Sequence, residues 1–251
     1  MDLYLQNKAA IVVGGSRGIG KAIAHRFAEE GVNVGICARS DAELQTTADE
    51  LRDLGVEVYA SSCDAGKAGE LEQFLDHVKD ALLRVDILVN NVSALSFGDD
   101  EASWRLSFDV DLLAAVRATR KVVPWMIAAG GGSVIHISSI SGLAAGSPPA
   151  YAAMKAALIS HSKTLAVTLA TDRIRVNVVA PGSIYFANGF WDRIKAEDRT
   201  TYDAVLETIP WGRMGRPEEV ADAVVYLSSP RASWITGVCL SVDGGQHKSN
   251  R

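Results

Sequence analysis

The sequence predicts a single domain of the α/β class, in which helices cover both faces of a doubly wound parallel sheet. Three observations support this prediction. Short apolar runs alternate with helix-like stretches along the 251 residues, which is the pattern of parallel strands joined by crossover helices. The first apolar run leads directly into a glycine-rich turn. Polar residues follow the ends of several later runs, and the carboxyl ends of parallel strands meet at one crevice where ligands bind.

Seven apolar runs predict strands, and the stretches between them predict helices. The strands are expected at residues 9–13, 32–37, 56–60, 87–89, 133–137, 174–179 and 238–242. The helices are expected at residues 21–30, 41–54, 70–83, 104–129, 150–171 and 218–227. No internal repeat, low-complexity segment or linker interrupts this series, so we interpret residues 1–251 as one domain.

Composition excludes several classes of protein. Charged residues make up 22% and hydrophobic residues 48% of the chain, which is typical of a soluble globular protein with a substantial core. The formal net charge of -5 argues against nucleic acid or an anionic membrane as the main partner. Residues 122–154 lack Asp, Glu, Lys and Arg, but glycines, serines and Pro148-Pro149 interrupt them, so they do not predict a membrane span.

Cysteine spacing and the amino terminus indicate the compartment. The three cysteines form no Cys-x-x-Cys pair, so neither a disulfide framework nor a zinc site is expected. The first residues lack the basic start and long apolar stretch of a signal peptide. We therefore expect a reduced, cytoplasmic protein with no metal.

The glycine-rich turn lies between the first predicted strand and the first predicted helix. Its glycines allow backbone N–H groups to approach a pyrophosphate at the positive end of the helix, so this context predicts a dinucleotide site. The spacing Gly14-x-x-x-Gly18-x-Gly20 differs from the common G-x-G-x-x-G, and a glycine-rich turn alone is often only a tight turn. The binding residues that we name here are Gly14, Ser16, Arg17, Gly18, Ile19 and Gly20.

The end of the second strand favours NADP(H) over NAD(H). Folds that prefer NAD place an acidic residue near this point to hold the ribose 2′-hydroxyl. Here the strand runs into Ala38-Arg39, with no acidic residue. Arg39 and Arg17 together offer two guanidinium groups, which suit a 2′-phosphate. The alternative is that both are ordinary solvated arginines.

A second group of candidate residues lies around the fifth strand and the helix after it. Tyr151 and Lys155 are four residues apart, so they share one face of the predicted helix. A nearby cation favours phenolate over phenol, which makes Tyr151 a candidate general acid and base. Ser139 follows the end of the strand, where its hydroxyl could reach the same substrate oxygen. A Tyr-x-x-x-Lys pair alone is more often an ordinary surface pair, so the other landmarks decide.

Taken in order, the landmarks resemble the short-chain dehydrogenase/reductase family. The matching motifs are the glycine turn, Cys63-Asp64-Ala65, Asn90-Asn91, Ser139, Tyr151-x-x-x-Lys155, Pro181-Gly182 and Thr236-Gly237…Val242-Asp243-Gly244-Gly245. They extend over nearly the whole chain. The resemblance implies a Rossmann-type sheet of about seven strands, a nicotinamide cofactor and assembly as a homotetramer.

The resemblance also implies roles for individual residues. Tyr151 would be the acid and base, and Ser139, three residues before Gly142, would contact the substrate oxygen. Lys155 would hold the nicotinamide ribose and assist Tyr151. Asp64 would meet the adenine. The full set of further cofactor contacts that we expect is Asp64, Ala65, Asn90, Pro181, Gly182 and Ile184.

Four places depart from the pattern of that family. Gly14 stands where a Thr is usual, and Val92-Ser93 replaces Ala-Gly. Asp111 replaces an Asn that helps to hold a water relaying protons to the lysine. A carboxylate accepts hydrogen bonds similarly but carries charge, so Asp111 remains a catalytic candidate with an altered pH dependence. Phe186 replaces a Thr near the cofactor amide, which leaves Ile184 and nearby backbone as the expected contacts.

Residues 185–211 correspond to the variable, substrate-covering segment of the family. The six aromatic residues in this segment are Tyr185, Phe186, Phe190, Trp191, Tyr202 and Trp211. Aromatic side chains bring a large apolar area with some polar reach, which fits an apolar carbonyl or alcohol substrate. Packing of the segment itself and of a subunit contact explains the same composition equally well.

These observations predict an NADP(H)-dependent oxidoreductase that interconverts a ketone and a secondary alcohol, and a 3-oxoacyl thioester reductase is one specific version. Two alternatives stay open on the sequence. One is a cofactor-binding protein with little catalysis, and the other is a dehydratase or epimerase on the same scaffold.

Overall fold

The computed structural model describes residues 1–145 and 148–249. In this part of the chain seven strands form one sheet, in the order β3-β2-β1-β4-β5-β6-β7, and every pair of neighbours is parallel. The strands are β1 (Ala9–Val13), β2 (Asn33–Ala38), β3 (Val58–Ser62), β4 (Ile87–Asn90), β5 (Gly132–Ile137), β6 (Ile174–Pro181) and β7 (Cys239–Val242). The predicted α/β class and seven-stranded parallel sheet are confirmed.

Helices connect the strands. They are α1 (Gly18–Glu29), α2 (Asp41–Asp53), α3 (Ala68–Leu82), α4 (Glu101–Ser107), α5 (Ala114–Ala128), α6 (Pro149–Thr168), α7 (Phe190–Glu197), α8 (Arg199–Glu207) and α9 (Pro217–Ser228). The predicted helix over residues 104–129 is divided, because a π-helical segment, Phe108–Leu113, separates α4 from α5. Helices α7 and α8 were not predicted, although Asp198 accepts a hydrogen bond from the backbone N–H of Thr201 as a helix cap.

The apolar core consists of two layers, one on each face of the sheet. Side chains of β1 alternate between them, since Ala10 and Val12 join one layer and Ile11 and Val13 join the other. Helices α1, α2 and α9 contribute to the first layer, and α3, α5 and α6 contribute to the second. Every residue of β1 is buried, as expected of a parallel strand covered on both faces.

The polar landmarks of the sequence gather at one edge of this sheet. The glycine turn follows β1, and Asn90 ends β4. Ser139 lies just after β5, and Pro181 ends β6. Since the strand order reverses between β1 and β4, the crevice that binds ligands in such sheets opens at this edge.

The described residues also bear on membrane insertion, metal binding and disulfide bonds. None of their helices has the length and apolar character needed to cross a membrane. They hold no group of three or more His, Cys, Asp and Glu side chains arranged to bind a metal. Cys37, Cys63 and Cys239 are free thiols.

Candidate active site

The turn after β1 is shaped by a close approach of its own backbone. A Cβ atom on Gly20 would lie 1.9 Å from the carbonyl oxygen of Gly14, so only glycine fits there. The side-chain Nδ2 of Asn91 donates to the same oxygen over 2.8 Å, which ties the turn to the end of β4. Among the described residues no side chain caps the N-terminus of α1. The free N–H groups of that helix end therefore suit an anionic pyrophosphate.

Two guanidinium groups border the glycine turn and the end of β2. Arg17 and Arg39 are both exposed. Within residues 1–145 and 148–249 neither guanidinium has an ion-pair or hydrogen-bond partner. Both charges are therefore free to meet an anionic ligand.

Neighbouring residues fix the shape of this side of the crevice. The hydroxyl of Thr47 on α2 donates to the carbonyl of Ser16 over 3.0 Å, which anchors the turn. Asp64 is half-buried and accepts a hydrogen bond of 3.1 Å from the N–H of Gly66, so its carboxylate closes the turn after β3. Ala65 is buried beside it, and Ile19 is half-buried in the first turn of α1.

The structure places the side chain of Asn90 in the core beneath the crevice. Its amide nitrogen lies 3.2 Å from the hydroxyl of Thr119 and 3.1 Å from Nδ1 of His136. Burial lowers the pKa of His136 to about 3, and the neighbouring His161 and the charge of Lys155 act in the same direction. The buried imidazole is therefore neutral. The side chain that contacts the glycine turn is that of Asn91, which sequence reasoning did not single out as a site residue.

The serine segment after β5 lies against the helical turn that carries Lys155. The hydroxyl of Ser138 donates to the carbonyl of Lys155 over 2.8 Å. A Cβ atom on Gly142 would be 2.7 Å from the carbonyl carbon of Lys155, so glycine is required for this approach. The Oγ of Ser139 accepts a hydrogen bond of 3.1 Å from the N–H of Ser141. Its own O–H remains available to donate to a ligand.

The ammonium group of Lys155 is buried, with 2% of the residue exposed. It donates to the carbonyl of Ile137 over 3.2 Å and lies 3.3 Å from Oδ1 of Asp111. It is 5.5 Å from the centroid of the Tyr151 ring. Helix α6 has Pro149 in its first turn, where the missing N–H has no partner to lose. The predicted Tyr, Lys and Asp side chains therefore form one cluster.

Asp111 is almost fully buried and lies in the π-helical segment between α4 and α5. Its Oδ1 accepts a hydrogen bond of 2.5 Å from the hydroxyl of Ser93. Its Oδ2 accepts one of 3.2 Å from the N–H of Ala94. Two departures from the family pattern, at positions 93 and 111, thus contact each other.

Comparison with known proteins agrees with this geometry. A family model described as "Enoyl-(Acyl carrier protein) reductase", of the adh_short_C2 type, matches residues 13–247. The chain belongs to the short-chain dehydrogenase/reductase family. Members of this family are NAD(P)-dependent oxidoreductases that act on CH–OH groups, and this chain is one of them.

Relatives extend over the full length of the chain. The 3-oxoacyl-[acyl-carrier-protein] reductase FabG of Chlamydia muridarum is 38% identical, over 98% of this chain and 99% of that protein. L-Sorbose reductase of Gluconobacter frateurii, solved with NADPH and L-sorbose, has a TM-score of 0.91 at 33% identity and covers 99% of this chain and 100% of that one. A 7α-hydroxysteroid dehydrogenase solved with NADH and 7-oxo glycochenodeoxycholic acid has a TM-score of 0.90 at 31% identity and covers 100% of this chain and 98% of that one.

Strand β6 ends at the motif Pro181-Gly182, which is followed by Ile184 and Phe186. The N–H of Gly182 donates to the carbonyl of Val242 over 3.0 Å, which joins β6 to β7 beyond Pro181. Ile184 is buried, with 7% exposed. The ring of Phe186 packs against Gly18, since a Cβ on that glycine would be 2.5 Å from the ring. Phe186 thus contacts the glycine turn, a contact that sequence reasoning missed.

The segment expected to cover the substrate, residues 185–211, packs with Met214 into a small separate core. Tyr202, Ile209 and Met214 form a buried cluster against which Tyr185 and Trp191 pack. The hydroxyl of Tyr185 also donates to Asp192 over 2.5 Å, and that hydrogen bond raises the pKa of Tyr185 and lowers the pKa of Asp192. Most of the aromatic side chains are therefore used for packing.

One aromatic contact joins this segment to the loop after β4. The rings of Phe190 and Phe97 stack with a centroid distance of 4.8 Å and an angle of 14° between planes. Phe190 also meets Trp191 edge-on at 5.0 Å. Half of Phe97 stays exposed, so the pair offers an apolar surface between residues 185–211 and the loop after β4.

Proposed function

We propose that this protein is an NADP(H)-dependent oxidoreductase that interconverts a ketone and a secondary alcohol. The observation that supports it best is the buried Lys155, held by Ile137 and Asp111 beneath the Tyr151 ring. The serine segment lies against the same turn of α6. An arrangement of this kind provides a proton donor for a substrate oxygen.

Each residue of the cluster has a distinct task in this proposal. A nicotinamide dinucleotide bound at the glycine turn supplies or accepts the hydride. Tyr151 gives its phenolic proton to the carbonyl oxygen in reduction and takes it back in oxidation. Ser139 donates a hydrogen bond to the same oxygen. Lys155 stabilises the phenolate with its positive charge and holds the nicotinamide ribose.

We propose that the remaining predicted residues bind the cofactor. Gly14, Gly18 and Gly20 form the turn that would bind the pyrophosphate, and a Cβ atom at each of them would lie within 3 Å of a neighbouring protein atom. In this proposal Ser16, Ile19, Asp64 and Ala65 line the adenosine side. Asn90 supports the crevice from below, and Pro181, Gly182 and Ile184 meet the nicotinamide end.

Preference for NADP(H) rests on the two arginines. One solved relative holds NADPH and another holds NADH, so similarity alone is compatible with either cofactor. The unpaired guanidinium groups of Arg17 and Arg39 favour a 2′-phosphate, which accepts charge-assisted hydrogen bonds from both.

An apolar carbonyl compound is the substrate class that we propose. The stacked Phe97 and Phe190 present apolar surface from the loop after β4 and from residues 185–211. A 3-oxoacyl thioester, the substrate class in the name of the Chlamydia relative, is one specific candidate. Because most of the segment's aromatic residues pack among themselves, the aromatic composition alone does not select it.

The decisive experiment follows the absorbance of NADPH during incubation with a panel of carbonyl compounds, including 3-oxoacyl thioesters, cyclic ketones and ketoses. We expect stoichiometric consumption of NADPH and formation of the alcohol with at least one compound. Tight NADPH binding without turnover would favour a cofactor-binding protein. Product formation without net consumption of NADPH would favour a dehydratase or epimerase.

We also propose that the protein is a homotetramer. Of the exposed apolar side chains, those in two places suit subunit contacts. One place is α4 and the residue after it, with Trp104, Leu106 and Phe108, and the other is near the edge strand β7, with Trp234 and Leu240. Light scattering at micromolar concentration tests this, and a monomer would contradict it.

A further inference from the structure

Two departures from the family pattern meet in the interior of the site. Ser93 follows β4 and Asp111 lies in the π-helical segment before α5. The Ser93 hydroxyl donates to Oδ1 of Asp111 over 2.5 Å. That distance lies in the short range of hydrogen bonds to a charged carboxylate, about 2.5–2.7 Å. The contact joins residues 18 positions apart in the chain.

The carboxylate of Asp111 is held by two hydrogen bonds and one ion pair. Besides Ser93, the N–H of Ala94 donates to Oδ2, and the ammonium group of Lys155 lies 3.3 Å from Oδ1. A buried carboxylate persists in its charged form only when it is paired and hydrogen-bonded. Here both conditions are met, and the counter-charge is the lysine of the site itself.

The ammonium group of Lys155 is held in place by Ile137 and Asp111. An ammonium group has three N–H donors. One donates to the carbonyl of Ile137, and the positive charge forms an ion pair with Asp111. The other N–H groups remain for a ligand or for the oxygen of Tyr151. The titratable groups that face this ammonium are Asp111 from the π-helical segment, Tyr151 from α6 and His136 from β5. His136 is neutral and adds no positive charge, and Asp111 is the acidic side chain paired with the ammonium.

We propose that Ser93 is a positioning residue that acts through Asp111 on Lys155. Its hydroxyl fixes the rotamer of the carboxylate, so that the carboxylate contacts the ammonium directly. This inference rests on the proposed function of Lys155 and Tyr151. It assigns a function to Ser93, which replaces a glycine of the family pattern. Besides its contact with Asp111, the Oγ of Ser93 accepts a hydrogen bond from the N–H of Leu95.

The test is a double-mutant cycle of wild type, Ser93→Ala, Asp111→Asn and the double variant. For each protein kcat/KM is measured against pH on a substrate that the wild type reduces. We expect Asp111→Asn to move the alkaline limb of the profile to lower pH by at least about one pH unit, since an opposite charge nearby is lost. Ser93→Ala should move the same limb in the same direction by a smaller amount.

Non-additivity distinguishes this proposal from independent packing effects. If Ser93 acts only through Asp111, the double variant should have the same profile as Asp111→Asn alone. Ser93→Thr, which keeps the hydroxyl, should have the same pH profile as the wild type. Ser96→Ala, a serine of the same loop, is the matched control and should leave the profile unchanged. Additive shifts, or an unshifted Ser93→Ala profile, would overturn the proposal.

A second measurement keeps the inference separate from the reductase proposal. The dissociation constant of NADPH is measured for the same four proteins from neutral to alkaline pH. We expect Asp111→Asn and Ser93→Ala to weaken binding at alkaline pH, again without additivity. If no carbonyl compound is reduced but this pattern is found, the coupling stands and the proposed reaction fails. A pH-independent or additive pattern contradicts the coupling itself.

Discussion

The ammonium group of Lys155 lies 5.5 Å from the centroid of the Tyr151 ring, one helical turn away on α6. The two side chains therefore share a face of the helix, and the charge lies beside the phenol. The ammonium is also anchored by the carbonyl of Ile137 and by Asp111. This geometry supports the proposal that the phenol is the proton donor of the site and that the lysine assists it.

Substitution Tyr151→Phe removes only the hydroxyl. We expect turnover of NADPH to fall by about 10²–10⁴-fold, the usual effect of losing a general acid. The ring and its packing remain, so thermal stability and NADPH affinity should stay close to wild type. Steady-state kinetics, thermal unfolding and a binding titration on the same preparation check this. Near-wild-type turnover by the variant would contradict the proposed mechanism.

Substitution Lys155→Met should affect stability as well as activity. It leaves the carboxylate of Asp111 buried without its counter-charge, and removing one partner of a buried pair typically costs about 3–5 kcal/mol. We therefore expect a lower thermal midpoint, weaker NADPH binding and lost turnover. The combined variant Lys155→Met/Asp111→Leu, which removes both charges, should recover part of the stability without recovering turnover. A combined variant that is no more stable than Lys155→Met would show that the charge pair is not the cause.

Cofactor preference should depend on Arg39 and Arg17. A hydrogen bond to a charged group contributes about 1.5–3 kcal/mol, so Arg39→Ala should weaken NADPH binding by roughly tenfold or more. NADH binding should change little, because NADH lacks the 2′-phosphate. Arg52→Ala is the control, since Arg52 is an exposed arginine paired with Asp49. Equal binding of NADH and NADPH by the wild type would disprove the preference.

Much of the fold could be predicted from the sequence because strands buried on both faces are continuous apolar runs. Strand β1 is found at the predicted residues 9–13. Helices α7 and α8 were missed because they cover only a small local cluster, which requires few apolar positions. The sequence also placed Asn90 at the end of a strand but could not show that its amide points toward His136 in the core.

The candidate site was predictable to a similar degree. Motif spacing indicated Ser139, Tyr151 and Lys155. Ser139 follows the end of a strand, and Tyr151 and Lys155 lie one helical turn apart. The sequence did not show contacts between segments that are distant in the chain. The hydrogen bond from Ser93 to Asp111 depends on a π-helical segment, and its sequence signal was only the pair of departures from the family pattern.

Gly142 should be required for both stability and turnover. A methyl group there would be 2.7 Å from the carbonyl carbon of Lys155, so Gly142→Ala must push the serine segment away from α6. Overpacking of this kind typically costs about 1–3 kcal/mol, and displacement of Ser139 should lower turnover as well. Gly69→Ala is the control, because a Cβ at that position on α3 meets no atom within 4 Å. Equal stability of the two variants would contradict this explanation of the glycine.

The pH dependence of stability should contain a contribution from Glu219 at the start of α9. Its hydrogen bond with Arg213 is the main cause that lowers the pKa of the Glu219 carboxyl from 4.5 to about 2, and the N–H of Arg216 also donates to it. In the unfolded chain the carboxyl takes up a proton near its ordinary pKa, whereas in the folded protein it does not. The contribution is therefore complete above about pH 5 and is lost progressively as the pH falls toward 2.

Thermal unfolding of Glu219→Gln against pH tests this assignment. The wild type should be the more stable protein at neutral pH, and the difference in thermal midpoint should shrink as the pH falls below about 5. Glu218→Gln is the matched control, since Glu218 is exposed in the same first turn of α9 and reports only the interaction of a carboxylate with the helix N-terminus. A difference between wild type and Glu219→Gln that stays constant down to acidic pH would mean that the charge of this carboxylate does not stabilise α9. A difference as small as that of the control would mean the same.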